Sequence, residues 1–493
     1  MLLGSSASAF RESDPYEILI QQLLIVESQP RVTLEDSKFN LERDKSVLND
    51  LDSRVSALDS ILDSFLDPLT HPFNSRTVNL SDTTGFSAKA SDDAVFGSHS
   101  IQVDRLASTD TRLSDRYTAA NTDIVTALGT GTKSFSISVS NPTDADPDNR
   151  ETIAVSVDIS NSDDETVLQE VASAINAAMN SAYDAETIEG DSRATASVVK
   201  ETSDSARISI RAGDTGYTSR INFESDTDGL LSYLGVSNAS VVSGASGGQA
   251  AFVGTSEDTS DLTSQFDLNG LTLYRNSNSV NDAITGVTLT LNETMTSPID
   301  FSVVSDSSSI EADVQDFIDK YNDILSHIKT RAVIDGETGE RGTFAGDTTF
   351  TSLRFNMRTD VIQEVSGQPN DAPSQITDIG IEVSSDGSLR LDDADALIQA
   401  IEADPENVRT LFAGTDGVAT RLSNRISDYL GFGGFIQSRE ENIDTRIRTL
   451  DGRITRFDES LSRREEQLRG EFARLQEAIT LFEGQQASLF AFG

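Results

Sequence analysis

The chain of 493 residues contains no cysteine and no tryptophan. Without cysteine there is no disulfide framework, no thiolate metal or redox site, and no cysteine nucleophile. Histidine is scarce as well: His71, His99 and His327 lie far apart and in no metal-ligand spacing, so they read as ordinary core or surface residues. No stretch approaches the roughly 18 apolar residues of a membrane-spanning helix, and Met1 to Tyr16 holds no apolar core of signal-peptide length. Lysine supplies only seven of the 38 basic residues, against 81 acidic ones, and the formal charge is −43. A surface of that sign repels nucleic acid and anionic lipid, so neither a nucleic-acid partner nor membrane insertion is expected, and self-association should depend on salt.

Little catalytic chemistry is present either. Asp144, Asp146 and Asp148 imitate the start of a calcium loop, but Asn149 stands where that loop needs Gly and Val155 where it needs Glu. They read as an acidic surface loop. The Gly-rich stretch from Ser237 to Gly254 lacks the Lys-Ser/Thr ending of a phosphate-binding loop and reads as a loop or interdomain linker. Neither an enzymatic activity nor a cofactor or metal is expected. The Cys-free middle, rich in Ser, Thr, Asp and Asn, looks like that of an extracellular appendage protein, which without a cleaved signal needs another export route.

Two regions obey a helical period. Leu34, Leu41, Leu48, Val55, Leu62 and Leu69 fall seven apart, with Leu51, Leu58 and Phe65 as a second seam position. Pro30 suits the first turn of this helix and Pro68 with Pro72 ends it. Tyr16 to Val26 reads as a shorter amphipathic piece. At the other end Ile447, Ile454, Leu461, Leu468, Leu475, Phe482 and Leu489 are again seven apart. Their companions Ile443, Leu450 and Phe457 turn polar at Arg464 and Glu471 and resume one residue late at Phe472 and Ile479, a stutter-like drift. No Pro follows Pro405, so a helix of roughly 45 residues, about 70 Å long, is allowed. Asp444–Arg448, Glu459–Arg463 and Glu465–Arg469 are favourable pairs four apart, while Gly452 and Gly470 weaken the helix.

Between these ends the period is that of strands. Phe86–Val103, Phe135–Val139, Ile153–Ile159, Arg207–Ile210 and Leu268–Leu291 show short alternating runs broken by Gly, Asp and Asn. One helix interrupts them at Thr166–Met179, with Asp163 or Asp164 as N-cap. Helices return from Ser309 and around Thr348–Val361, and a hairpin follows in which Asp386-Gly387 signals a two-residue turn.

The matching seams admit a plain reading, an intramolecular stalk. They also suit packing against further copies or another helical assembly, because nine Arg balance nine acids between Arg439 and Arg474 on an otherwise strongly acidic chain, and Leu489, Phe490 and Phe492 carry apolar character to the end.

Several segments, in order, resemble the flagellar filament cap (hook-associated protein 2) family. They are ILIQQLLIVESQPRVTLEDSKFNL, FSAKASDDAVFGSHSIQVDRLAS, TVLQEVASAINAAMN with ARISIRAGDTG, LNGLTLYRNSNSVNDAITGVTLTL, SIEADVQDFIDKYNDIL, FAGDTTFTSLRFNMR and ITDIGIEVSSDGSLRLDDADALIQAI, then the long C-terminal coiled coil. The resemblance spans roughly Asp14 to Leu489, weakest in the middle of the head. The family's Gly/Ser-rich opening is shortened here to LGSSASAFRESDPY.

The resemblance implies a multidomain α+β fold: a terminal α-helical coiled-coil leg, a mixed helical and β middle domain, and β-rich head domains. The expected division is 1–69 and 436–493 for the leg, 70–105 with 266–435 for the middle domain, and 106–265 for the head, in two subdomains. It also implies a ring-like homo-oligomeric cap, a pentamer being one candidate stoichiometry, that sits on the filament tip, retains exported flagellin and promotes its polymerisation. Export would run unfolded through the flagellar type III channel, with a cytoplasmic chaperone on the C-terminal seam. The residues expected to carry the oligomer and filament interface are Leu48, Val55, Leu62, Ile447, Ile454, Leu461, Leu468 and Leu475. A secreted adhesin with a glycan-binding head, or an axial subunit at the hook–filament junction, are the rival readings.

Overall fold

A computed structural model describes residues 15–140, 150–337 and 339–490, without the side chains of Pro15 and residues 487–490. The Asp144–Asp148 run, most of the LGSSASAFRESDPY opening, the side chains of Leu489 and Phe490, and Phe492 lie outside the described residues.

The chain opens with α1 (Pro15–Glu27) and α2 (Gln29–Leu66). Strands β1 (Arg76–Leu80), β2 (Phe86–Ala90), β3 (Gly97–Arg105), β4 (Thr109–Leu113) and β5 (Tyr117–Thr118) follow. Next come α3 (Asp123–Leu128), β6 (Gly131–Ser140), β7 (Arg150–Ile159), α4 (Asp164–Asp184), β8 (Thr195–Thr202), β9 (Ser205–Thr215), β10 (Asn222–Glu224) and α5 (Leu230–Leu234). Strands β11 (Gly248–Gln249), β12 (Ser264–Leu268), β13 (Leu271–Arg275), β14 (Ser279–Ile284), β15 (Val287–Leu291) and β16 (Ile299–Ser305) lead to α6 (Ser307–Arg331) and α7 (Thr348–Ile362). The chain ends with β17 (Ile381–Val383), β18 (Leu389–Leu391), α8 (Ala394–Ala403), α9 (Pro405–Ala413), α10 (Val418–Ser427) and α11 (Phe435–Phe490).

Two compact units result, a terminal unit made of the segments up to Phe73 and from Ser307, and a central unit, Asn74–Asp306. In the terminal unit, α2 buries Leu41, Leu48, Leu51, Val55, Leu58, Leu62 and Phe65, both of the seam positions legible in the sequence. Against them α6 turns Ile310, Val314, Phe317, Tyr321, Ile324 and Ile328, at the three- and four-residue spacing of one helix face. Phe65, Phe73, Phe317 and Phe412 meet in one aromatic cluster, with ring centroids 5.3 Å apart for Phe65–Phe73 and 5.4 Å for Phe65–Phe412. Such pairs each add about 0.5–1.5 kcal/mol beyond their buried area.

The hairpin β17–β18 is present, with Ile381 opposite Leu391. Its turn is longer than the two residues expected, since Ser384 and Ser388 still pair and three residues close the loop. Gly387, at φ +91°, supplies the left-handed step there. Asn322 of α6 holds both backbone groups of Leu389, accepting from its N–H at 2.8 Å and donating to its carbonyl at 2.7 Å, which ties the hairpin to the helix.

The central unit carries two cores. Sheet β1-β16-β3-β12-β13 and the smaller sheet β14-β15-β2, antiparallel throughout, enclose Phe86, Ile101, Val103, Phe266, Leu289 and Phe301. The second core, Tyr117 to Val236, lies among β6–β7, β8–β9 and α4, whose Val167, Leu168, Val171 and Ile175 are buried. Asp163 caps α4 by accepting from Thr166 N–H, as the sequence suggests.

Three readings need correction. Residues 307–435 share the core of α2 rather than that of residues 74–105, because the period changes from two to 3.6 at Ser307 and every later helix has an apolar face to bury; residues 264–306 stay with the strands. The stretch 237–254 is irregular but not a linker. Arg207, itself buried, donates to the carbonyls of Ser114, Gly244 and Ser246 and lies beside Glu201, and so fastens this stretch onto β9 and the segment after β4. Its GASGG sequence matches the spacing of a nucleophile elbow, yet it neither leaves a strand nor enters a helix of that motif. Finally, α11 runs for 56 residues rather than roughly 45, starting at a glycine-rich turn.

His327 of α6 is buried, and its Nε2 lies 3.1 Å from the Val47 carbonyl, leaving Nδ1 without a hydrogen-bond partner. Burial first, then the charges of Arg331 and Arg54, lowers its pKa; the Val47 contact and Asp50 oppose this. A lowered histidine pKa means that the unfolded chain takes the proton first, so stability falls as pH drops below about 6.5. Between pH 7.5 and 5.5 the terminal unit should lose stability that His327→Leu does not lose, measured by urea unfolding followed by circular dichroism.

Candidate assembly surface on the terminal helices

The two ends of the chain meet as an antiparallel helical pair, and charges fix its register. Arg31 Nε lies 2.5 Å from Asp458, Lys38 Nζ 2.6 Å from Asp451, and Lys45 Nζ 2.6 Å from Asp444. Each step moves seven residues forward on α2 and seven back on α11, so three rungs repeat along one flank of the apolar seam. These side chains are roughly a third to a half exposed, so solvent screens each rung and its contribution to stability is small. Their larger effect is on specificity, because a slip of three or four residues leaves Arg31 and Lys38 opposite no acid. The hydrogen bond that Arg31 donates to Asp458 is the main cause raising the Arg31 pKa, and the one that Lys38 donates to Asp451 does the same for Lys38.

Toward the N-terminus the pattern changes sides. Arg464 lies 3.2 Å from Glu27 and Arg469 2.6 Å from Glu17, while the rings of Tyr16 and Phe472 lie 5.7 Å apart. This explains the drift in the C-terminal seam: Arg464 is polar because it meets Glu27 of α1, and Phe472 is apolar because it meets Tyr16. The shift coincides with the junction at Ser28, where α1 gives way to α2.

The eight residues expected to carry the interface separate into three groups. Leu48, Val55 and Leu62 are fully buried in the terminal core, which accounts for them without any partner. Leu468 is buried too, Ile447 packs half-buried against the same core, and Ile454 and Leu461 are half-buried. Leu475 alone is largely open, at 48%. It belongs to a longer surface, since every side chain from Ala473 to Gln486 is exposed, including Ile479, Leu481 and Phe482, the last at 74%. On α1, Leu19, Leu23 and Val26 are likewise exposed. The sequence held a signal for this surface: Leu475, Ile479 and Phe482 fall at the three- and four-residue spacing of one helix face.

Among the described residues no group of three His, Cys, Asp or Glu side chains could hold a metal ion, and no helix is long and apolar enough to cross a membrane. What this surface can do is bury apolar side chains against another helix.

Residues 15–110 match the family model of the flagellar hook-associated protein 2 N-terminus, and residues 263–483 match that of its C-terminus. The chain belongs to the flagellar hook-associated protein 2 family. The two matches take in α1, α2, most of α11 and the first core of the central unit, and they flank the second core. Among relatives, the A-type flagellar hook-associated protein 2 of Pseudomonas aeruginosa is 26% identical over 451 residues, covering 88% of this chain and 85% of its own. The flagellar hook-associated protein 2 of Escherichia coli K12 is 26% identical over 388 residues, covering 76% and 74%. The fold is shared with the crystal structure of the D1-D2-D3 domains of the flagellar cap protein FliD from Escherichia coli, at a TM-score of 0.53 and 21% identity, covering 81% of this chain and 99% of that one.

The rungs make a direct prediction. Lys38→Glu should lower the urea midpoint by facing Asp451 with a like charge, and adding Asp451→Lys should restore most of the loss. Urea titrations of the four proteins of this cycle measure the coupling, and no recovery in the double variant would remove the register role.

Proposed function

We infer that this chain caps the flagellar filament: copies assemble into a ring-like oligomer at the filament tip, where they retain exported flagellin and promote its insertion. Membership of the hook-associated protein 2 family supports this reading, and one structural observation carries it. The terminal helices are stapled to one another over their inner part but present an open apolar row, Leu475, Ile479 and Phe482, with exposed Leu481 beside it, at the far end of α11. Fully burying each such side chain is worth about 1.5–3 kcal/mol. A partner at the filament end therefore gains enough to order the helix there, whereas the inner part of the pair is already held by its own core.

The division of labour follows. The inner rungs keep the leg one body, the open end docks and releases as each subunit is inserted, and the central unit forms the plate. In this reading the chain leaves the cell through the flagellar export channel, and a cytoplasmic chaperone covers the apolar end of α11 before export. Docking should involve Leu475 first among the residues expected from the sequence, while Leu48, Val55 and Leu62 act only by holding the leg together.

The test uses exposed positions, so that folding is spared. Leu475→Asp with Phe482→Asp should leave the melting temperature unchanged and yet give short or absent filaments, with flagellin recovered from the culture medium. Leu461→Asp with Leu468→Asp would mix this effect with unfolding, since Leu468 is buried. Filaments of normal length from the first double variant would contradict the docking role of this surface.

A further inference from the structure

Ile18, Ile25, Val32 and Phe39 lie seven apart in one line along α1 and α2 that the seam with α11 does not use. All four are exposed, Ile25 at 61% and Phe39 at 65%. The backbone stays helical through the junction, since Ser28 has α-helical torsions and donates to the Leu24 carbonyl at 2.8 Å. The line is therefore continuous over about 32 Å. At the same heptad position further along come Ser46, Ser53 and Ser60, also exposed. Large apolar side chains thus occupy this position only on the outer stretch, and nothing in the packing of the chain on itself requires them there.

Exposed acids border the line at Glu35, Asp36 and Glu42; Glu35 and Glu42 also bond Arg31 and Lys38 within the chain. A different face of the same helical pair holds a groove of about 770 Å³, lined by Pro30, Thr33, Leu34, Arg453, Arg456 and Phe457. Arg453, Arg456 and nearby Arg463 are exposed, and no ion pair engages them among the described residues. On a chain of net charge −43, an arginine-lined apolar groove and an acid-bordered apolar line are complementary in both respects.

We propose that the Ile18–Phe39 line of one copy seats in the α11 groove of a second copy of this chain. This rests on the reading of the chain as a ring-forming cap and names the contact through which its legs associate. Because two different surfaces meet, the contact is heterologous, and its repetition from copy to copy gives a ring where the rotation between neighbours closes. Packing the line in parallel on itself would bring Glu35, Asp36 and Glu42 against their own equivalents, which like-charge repulsion disfavours.

The absence of cysteine makes the test clean. Ser460 lines the same groove, so full-length Phe39→Cys and Ser460→Cys variants, mixed and oxidised, should give a mixed disulfide dimer in several-fold excess over either homodimer. A disulfide homodimer of the Phe39→Cys variant alone, or no adduct from material that forms rings in electron microscopy, would overturn the proposal. In sedimentation velocity, Phe39→Glu and Arg456→Glu should each weaken self-association at least tenfold with unchanged circular dichroism. Unaltered association in both overturns it. Rings that persist in Phe39→Glu while filament growth stops would place the line against the filament, ending this proposal and leaving the capping reading intact. A wild-type chain that stays monomeric at every concentration would end the ring reading along with it.

Discussion

The pairing of α2 with α11 is the constraint on which the terminal unit depends. It joins segments some 400 residues apart in the sequence, so its stability cannot come from local contacts. Closing so long a loop costs entropy that grows only slowly with length, and the cost is offset where α2 buries its seam against α6, α10 and the aromatic cluster around Phe412. Once that core forms, the register of α11 on α2 is set by the Arg31, Lys38 and Lys45 rungs. Everything further out, from the α1 contacts to the open row beyond Phe472, inherits that register.

This arrangement grades the terminal helices from filled to open. Near Val55 and Leu58 the seam is fully enclosed, around Ile454 and Leu461 it is half-covered by one partner helix, and beyond Ala473 it is bare. A gradient of burial is also a gradient of local stability, because segments with few buried apolar contacts open at low cost. A cap that must hold its shape while yielding at its foot needs both properties in one body. Here they come from a single pair of helices. The near-neutral charge of α11, against the acidic remainder of the chain, lets other helices approach it without general repulsion.

Much of this was legible in the sequence. Both heptad seams, the Asp163 cap of α4, the position of the hairpin at Gly387 and the β character of the centre follow from periodicity and turn chemistry. Periodicity, however, states that a side chain is buried and not by what. Leu48, Val55 and Leu62 look identical in pattern to Leu475, yet the first three face the chain's own core and the last faces outward. The partner of a seam is a long-range fact, and α6 to α10 had to be placed before it could be known. The short helices α8, α9 and α10 have apolar faces, and Asp393 and Asp404 cap the first two, but each is near ten residues, too short for a period to stand out from the loops around it. The heptad-spaced cations on α2 and aspartates on α11 were readable all along, as two arithmetic series running in opposite directions.

The account rests on the outer part of α11 lacking a partner until assembly supplies one. Hydrogen exchange on the isolated full-length chain at low concentration measures this directly. Amides of α2 between Leu41 and Phe65 should be protected to near the global unfolding free energy, whereas those from Ala473 to Gln486 should exchange many orders of magnitude faster and slow down only on the filament tip. Protection of 473–486 equal to that of α2 in the dilute monomer would contradict the account.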